Sequence, residues 1–155
     1  MEGLDETNLD PTSPPRLILN SQLEDLARVL PWVESIAGQY SILPDTRFAI
    51  ELCLEEALSN IIRHGYRGQA DHAITVACAA AGGDGQKPFE LVFTIEDQAP
   101  PFDPLAFPTA PDAPAIDELP LGGQGIRLMR KFASRAAWEQ VPGGNRLTLA
   151  FDLTQ

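Results

Sequence analysis

The chain has 155 residues, with 11 basic against 22 acidic side chains and a formal net charge of −11 at pH 7. That length suits one domain able to bury about two-thirds of its unfolded surface, and 44% hydrophobic against 21% charged residues excludes a wholly disordered chain. The acidic excess, with Lys and Arg scattered, lacks the electrostatic footprint of a nucleic-acid or anionic-membrane binder; no window approaches the roughly 18 apolar residues of a bilayer span. An anionic ligand stays open, because backbone N–H groups and a bound metal neutralise phosphates locally.

Residues 1–15 carry Glu2, Asp5, Glu6 and Asp10 with neither a basic start nor an apolar stretch, and read as a disordered acidic leader rather than a secretory signal. Arg16–Asn20 (RLILN) reads as a strand. Ser21 with Glu24 three residues on has the pattern of a capping box, opening a helix over 22–39 with Leu23, Leu26, Leu30, Val33 and Ile36 on one face. Pro31 inside it predicts a kink or a split. A second helix follows to about His64, with Asp45 as N-cap, Ile50, Leu54, Ala57, Leu58 and Ile61 as its apolar stripe, and Gly65 and Gly68 as its stop. Residues 73–80 and 89–96, rich in β-branched and aromatic side chains, predict strands joined by a glycine-rich hairpin loop. Cys53 and Cys78 lie in apolar runs without zinc-ligand spacing, which predicts reduced, buried thiols in a cytoplasmic protein.

Over 98–123 the composition changes. Pro100, Pro101, Pro104, Pro108, Pro111, Pro114 and Pro120 make up half of the chain's 14 prolines, a density that breaks regular structure and reads as a lid. A third helix of about three turns is expected after Gly125, carrying Ile126, Leu128, Met129 and Phe132. A final hairpin pairs 136–141 with 146–153 around Pro-Gly-Gly-Asn. Trp32 and Trp138 fall on periodic faces and read as core. The order β-α-α-β-β-lid-α-β-β predicts an α+β two-layer sandwich, a mixed, mainly antiparallel sheet with three helices on one face.

Glu56 and Asn60, four residues apart, project from one face of the second helix, with Cys53 and Leu52 placing Glu56 toward a semi-apolar flank. A carboxylate and an amide oxygen at that spacing suit a hard cation such as Mg²⁺, which takes oxygen ligands; a plain helix edge fits the same spacing. His64 continues the row into the last turn, where it also suits the helix dipole. Asp97 closes a strand beside the proline-rich segment, where an acid can accept a hydrogen bond from an exocyclic amine of a bound base, or simply form a turn. Gly122, Gly123 and Gly125 precede a helix, where glycine lets backbone N–H groups approach an anion, though such entries also occur without ligands.

Taken together and in order, residues 54–66 (LEEALSNIIRHGY), 95–104 (IEDQAPPFDP) and 122–134 (GGQGIRLMRKFAS) resemble the N-box and two glycine boxes of the bacterial anti-sigma-factor serine/threonine kinases. These are stand-alone members of the GHKL (Bergerat, histidine-kinase-like) ATPase superfamily. The resemblance runs through most of 16–155 and implies an ATP-binding domain with its lid near 98–123. It implies Glu56 as general base, Asn60 as Mg²⁺ ligand, Asp97 as adenine-binding acid with Ala99 in the adjoining box, and Gly122, Gly123 and Gly125 beside the phosphates. It further implies phosphorylation of a STAS-type antagonist, alternate binding of a sigma factor, ATP and ADP as ligands, and a homodimer. The alternative is a partner-switching adaptor that binds nucleotide without turning it over. Two positions depart from the family pattern: Ala99 stands where glycine is expected, and Asn145 stands where a threonine often follows the glycine pair.

Overall fold

The computed structural model describes residues 15–83, 87–106 and 125–153. Most of the acidic leader, most of the lid, Gly122 and Gly123 lie outside them. Five strands form one sheet: β1 (Arg16–Asn20), β2 (Ala73–Ala81), β3 (Glu90–Asp97), β4 (Arg135–Val141) and β5 (Gly144–Asp152). Their spatial order is β1-β2-β3-β5-β4, and every pairing is antiparallel. Period-two alternation turns Leu17, Leu19, Ile74, Val76, Leu91, Phe93, Ile95, Leu147 and Leu149 into the core, while Ile18, Thr75, Val92, Thr94 and Thr148 line the outer face.

The inward face is covered by α1 (Val29–Tyr40), α2 (Pro44–Asn60) and α3 (Gly125–Phe132), so the chain is a two-layer α+β sandwich. Phe93, at the centre of the sheet, meets Trp32 edge-on at 6.0 Å and Phe151 at 5.8 Å. Burying each such side chain contributes about 1.5–3 kcal/mol, and the edge-to-face geometry adds to it. Cys53 and Cys78 sit in this core, their thiols pushed up to about 12 by burial, so they remain protonated packing groups. On the open face, Arg146 pairs with Glu96 and Glu139 on the two neighbouring strands, and Arg135 of β4 reaches over β5 to Glu90 of β3. Exposed pairs of this kind contribute little to stability and chiefly favour one register.

Local chemistry accounts for the departures from the expected elements. The region 22–39 splits into a 3₁₀ segment, Leu23–Arg28, and α1, so Pro31 falls in the first turn of a new helix, where its missing N–H costs nothing. Ser21 forms no capping box. Its hydroxyl donates to the Gln69 carbonyl at 2.6 Å and accepts from the His72 N–H, while the Asp25 carboxylate accepts from the Asn20 N–H. Tertiary partners have outcompeted the local cap. Pro44 occupies the first position of α2 after Leu43, which places Asp45 inside the first turn rather than at the cap. There its charge still favours the helix N-terminus. The third helix has eight residues, about two turns, because Ser134 already hydrogen-bonds to the backbone of β5. Trp32 is core, whereas Trp138 is only half-buried on the edge strand. Among the described residues of the proline-rich segment, Pro104–Ala106 forms a 3₁₀ turn.

Two glycines test this packing in opposite directions. A Cβ at Gly144 would overlap the Asp97 carbonyl on the paired strand, whereas one at Gly38, in α1, would meet nothing within 4 Å. Gly144→Ala is expected to lower stability by about 1–3 kcal/mol, and Gly38→Ala to raise it by about 0.5–1 kcal/mol. Thermal denaturation of both variants should therefore bracket the parent, and a Gly144→Ala melt at or above the parent value would contradict the register.

Candidate active site

The first two sequence motifs and the described part of the third, residues 125–134, meet at one end of the sandwich. The α-helical part of α2 ends at Asn60 and continues as a π-helical turn, Ile61–Gly65, in which the Tyr66 N–H reaches back five residues to the Ile61 carbonyl. Wide turns of this kind recur at functional sites because they re-aim the side chains on either side. Tyr66 then ties the helix to the sheet. Its hydroxyl donates to the Ala73 carbonyl at 3.0 Å and accepts from the Gln98 N–H at 2.6 Å, and its ring stacks on His72. The segment after β3 returns across this end: the Ala99 methyl lies over Gly65, and the Phe102 ring lies 6.1 Å from His64. From α3, Arg130 donates to the Leu105 carbonyl at 2.7 Å.

Asn60 is only 2% exposed. Among the described residues, the fully enclosed side-chain polar atom without a hydrogen-bond partner is the Trp32 indole Nε1 in the core, not an atom of Asn60. Four residues back, Glu56 is half-buried and lies close enough to Glu55 and Cys53 for its charge to disfavour their ionisation. No hydrogen bond or ion pair restrains Glu56 among the described residues, in contrast to Glu51, which accepts from Arg47 at 3.0 Å.

Asp97 ends β3 opposite Ile74 and Asn145 and is 7% exposed. Burial raises its carboxyl above the ordinary value of 3.8, an effect that hydrogen bonds from the Asn145 amide and the Ala99 N–H partly reverse. Both bonds end on Oδ1, at 2.8 and 2.9 Å. Oδ2 takes no hydrogen bond among the described residues. A half-satisfied buried carboxylate can therefore accept one more donor. Ala99 is 4% exposed, and its φ lies outside the left-handed region. The backbone here follows a path that alanine takes without strain, so nothing at this position requires a glycine.

Two contributors carried no role in the sequence reading. Tyr66 lay within the first motif, but its two backbone partners are remote in sequence. Asn145, 2% exposed, holds five hydrogen bonds. The signal for it in the sequence was its departure from the family pattern, an asparagine where a threonine often follows the glycine pair. No cluster of three metal-ligating side chains occurs among the described residues. The arrangement is instead an amide and a carboxylate, Asn60 and Glu56, one turn apart on the helix, with the Asp97 carboxylate on the neighbouring strand end.

This architecture defines a histidine-kinase-like ATPase domain. The chain belongs to that family, whose model matches residues 19–151, and within it to the serine/threonine-protein kinases. It is 32% identical over 118 residues, 76% of this chain and 79% of the relative, to serine/threonine-protein kinase BtrW of Bordetella bronchiseptica. Among solved structures it resembles the RsbU and RsbW domains of Rv1364c from Mycobacterium tuberculosis, with a TM-score of 0.60, 18% identity, and 90% of this chain matching 32% of that one. It also resembles the blue-light activated histidine kinase of Erythrobacter litoralis EL346, with a TM-score of 0.53, 18% identity, and 85% of this chain matching 42% of that one. At that identity the likeness is one of fold, and the chain spans less than half the length of either. No helix among the described residues is long and apolar enough to cross a membrane.

Because folding raises the Asp97 pKa, ionising it costs stability. That cost is absent below the ordinary aspartate value of 3.8 and grows as pH rises through the folded value. Asp97→Asn keeps an oxygen for both N–H donors and removes the buried charge. The ligand-free variant is expected to melt higher than the parent at neutral pH, with the gap closing as the pH falls toward 3.8. A pH-independent difference in melting temperature would show that the charge is not the cause.

Proposed function

We propose that the chain is an ATP- and Mg²⁺-dependent serine/threonine kinase that acts as an anti-sigma regulatory factor, phosphorylating a STAS-type antagonist in a partner-switching pathway. The observation that carries this reading is the placement of Asn60, 2% exposed, one helical turn from the half-buried Glu56, on a helix whose continuation packs under Ala99 beside the buried carboxylate of Asp97. The buried amide fits a Mg²⁺ ligand, and the half-satisfied Asp97 fits an acceptor for the adenine amine. Bound Mg²⁺-ATP would supply the transferable phosphoryl group and the charge neutralisation that its transfer needs.

The chain's own residues then have separable tasks. Asp97 selects and orients the base through Oδ2. Asn60 offers its amide oxygen to the metal. Gly122, Gly123 and Gly125 let backbone N–H groups approach the phosphates. Glu56 accepts the proton of the attacking serine or threonine hydroxyl, the one step that demands a particular side chain. The kinship with a named serine/threonine kinase supports a protein hydroxyl as acceptor. A sigma factor as the alternate partner, a homodimer as the working form, a cytoplasmic location and a lid over 98–123 belong to the same reading.

The test combines calorimetry with a transfer assay. Glu56→Gln is expected to cut phosphate transfer to a STAS-type antagonist by about 10²–10⁴-fold while leaving ADP affinity within about threefold. Asn60→Ala is expected to weaken Mg²⁺-dependent ATP binding by about tenfold or more. Parent protein that binds ATP but transfers nothing to an antagonist it binds would be the adaptor instead, and parent protein that binds no nucleotide would be neither.

A further inference from the structure

Asn145 makes more side-chain hydrogen bonds at this end of the fold than catalysis by the family motifs requires of it. Its Nδ2 donates to Asp97 Oδ1 at 2.8 Å and to the carbonyls of Ala99 and Pro100, both at 3.2 Å. Its Oδ1 accepts from the Phe102 N–H at 3.1 Å and the Trp138 indole N–H at 3.2 Å. Acceptors surround one end of the amide and donors the other, so it cannot turn over without setting N–H against N–H. The segment it grips has few hydrogen-bonding resources of its own, because Pro100 and Pro101 lack backbone N–H groups. The carbonyls of residues 99 and 100 therefore take their donor from across the sheet.

We propose that Asn145 is the positioning residue of the nucleotide site, orienting the Asp97 carboxylate and clamping the 99–102 turn so that Oδ2 faces the base. This rests on the reading of Asp97 as the base-binding acid. With the Ala99 N–H and Nδ2 both on Oδ1, rotation of the carboxylate would break two hydrogen bonds, so Oδ2 is held in one place before ligand arrives. The two positions at which the chain departs from the family pattern, 99 and 145, are thus bonded to each other. A threonine hydroxyl brings one hydrogen and cannot serve three acceptors; an amide brings two and can share them. Asparagine at 145 and the alanine-containing turn at 99 form one coupled unit.

Asn145→Asp separates this role from packing. The variant is nearly isosteric and keeps an oxygen for Phe102 and Trp138, but it removes both donors and sets a second carboxylate against Asp97. Among the described residues, the other titratable group that interacts with Asp97 is the Tyr66 hydroxyl, which burial pushes up from 10.0, so it stays protonated in the working range. ADP titrated calorimetrically at neutral pH is expected to bind Asn145→Asp about tenfold or more weakly than the parent, the loss that goes with a hydrogen bond to a charged group. Affinity is expected to recover as pH is lowered, because a proton shared by the two carboxylates restores a donor toward Asp97; the parent is expected to show no such recovery. Affinity within about twofold of the parent at every pH would overturn the positioning role, and so would a loss with no acid recovery, which marks lost packing. Should the variant fail to fold by circular dichroism, Asn145→Thr takes its place. It is expected to lose about tenfold in ADP affinity at a temperature where it is folded, and a lowered melting temperature with unchanged affinity would mean a structural role alone. Failure of the parent to bind ADP would remove the nucleotide site itself, which the variants cannot mimic.

Discussion

A carboxylate that is to discriminate a base must be desolvated, and desolvation penalises its charge unless hydrogen bonds compensate. Asp97, the base-binding acid of the proposed reading, lies under that constraint at the last residue of β3, with Oδ1 doubly bonded. Much of the surrounding structure serves this arrangement. β5 lies beside β3 and brings Asn145 opposite Asp97, Gly144 leaves room for the Asp97 carbonyl, and Tyr66 anchors the backbone one residue further on.

The same sandwich that buries Asp97 also fixes the C-terminal end of α2. Its apolar stripe is fixed against the sheet by Ile50, Leu54, Ala57, Leu58 and Ile61, all in the core. Once that stripe is seated, the rotation of the helix is determined, and Glu56 and Asn60 must emerge along one flank. The π-helical turn after Asn60 brings Gly65 beneath Ala99, which joins the helix to the loop following β3. Packing energy spread over the whole core thereby sets the position of two polar side chains at its edge.

The strand and helix order, the hairpins and the apolar faces were legible in the sequence because each depends on local periodicity and turn chemistry. The three motifs were legible as a set. Local signals failed where a tertiary partner offered more. Ser21 and Glu24 have the form of a capping box, yet the Ser21 hydroxyl goes to Gln69, 48 residues away. Asp45 has the form of a cap, but Pro44 claims the first helical position. Trp138 has core periodicity, but β4 is an edge strand, so one side of the ring stays wet. At residue 99 a glycine was expected from kinship, and the backbone follows a path on which alanine is unstrained.

By itself the sequence determined the fold class, the inward faces of strands and helices, and the identities of Glu56, Asn60 and Asp97 as the polar residues to watch. These follow from spacing along the chain, which a linear string records. Only the tertiary structure decided that Asn60 is almost wholly buried, that among the described residues Asp97 takes its hydrogen bonds on one oxygen, and that Asn145 joins residues 97, 99, 100, 102 and 138. Hydrogen-bond satisfaction depends on which groups meet after strands from distant parts of the chain have paired, and no local pattern carries that information.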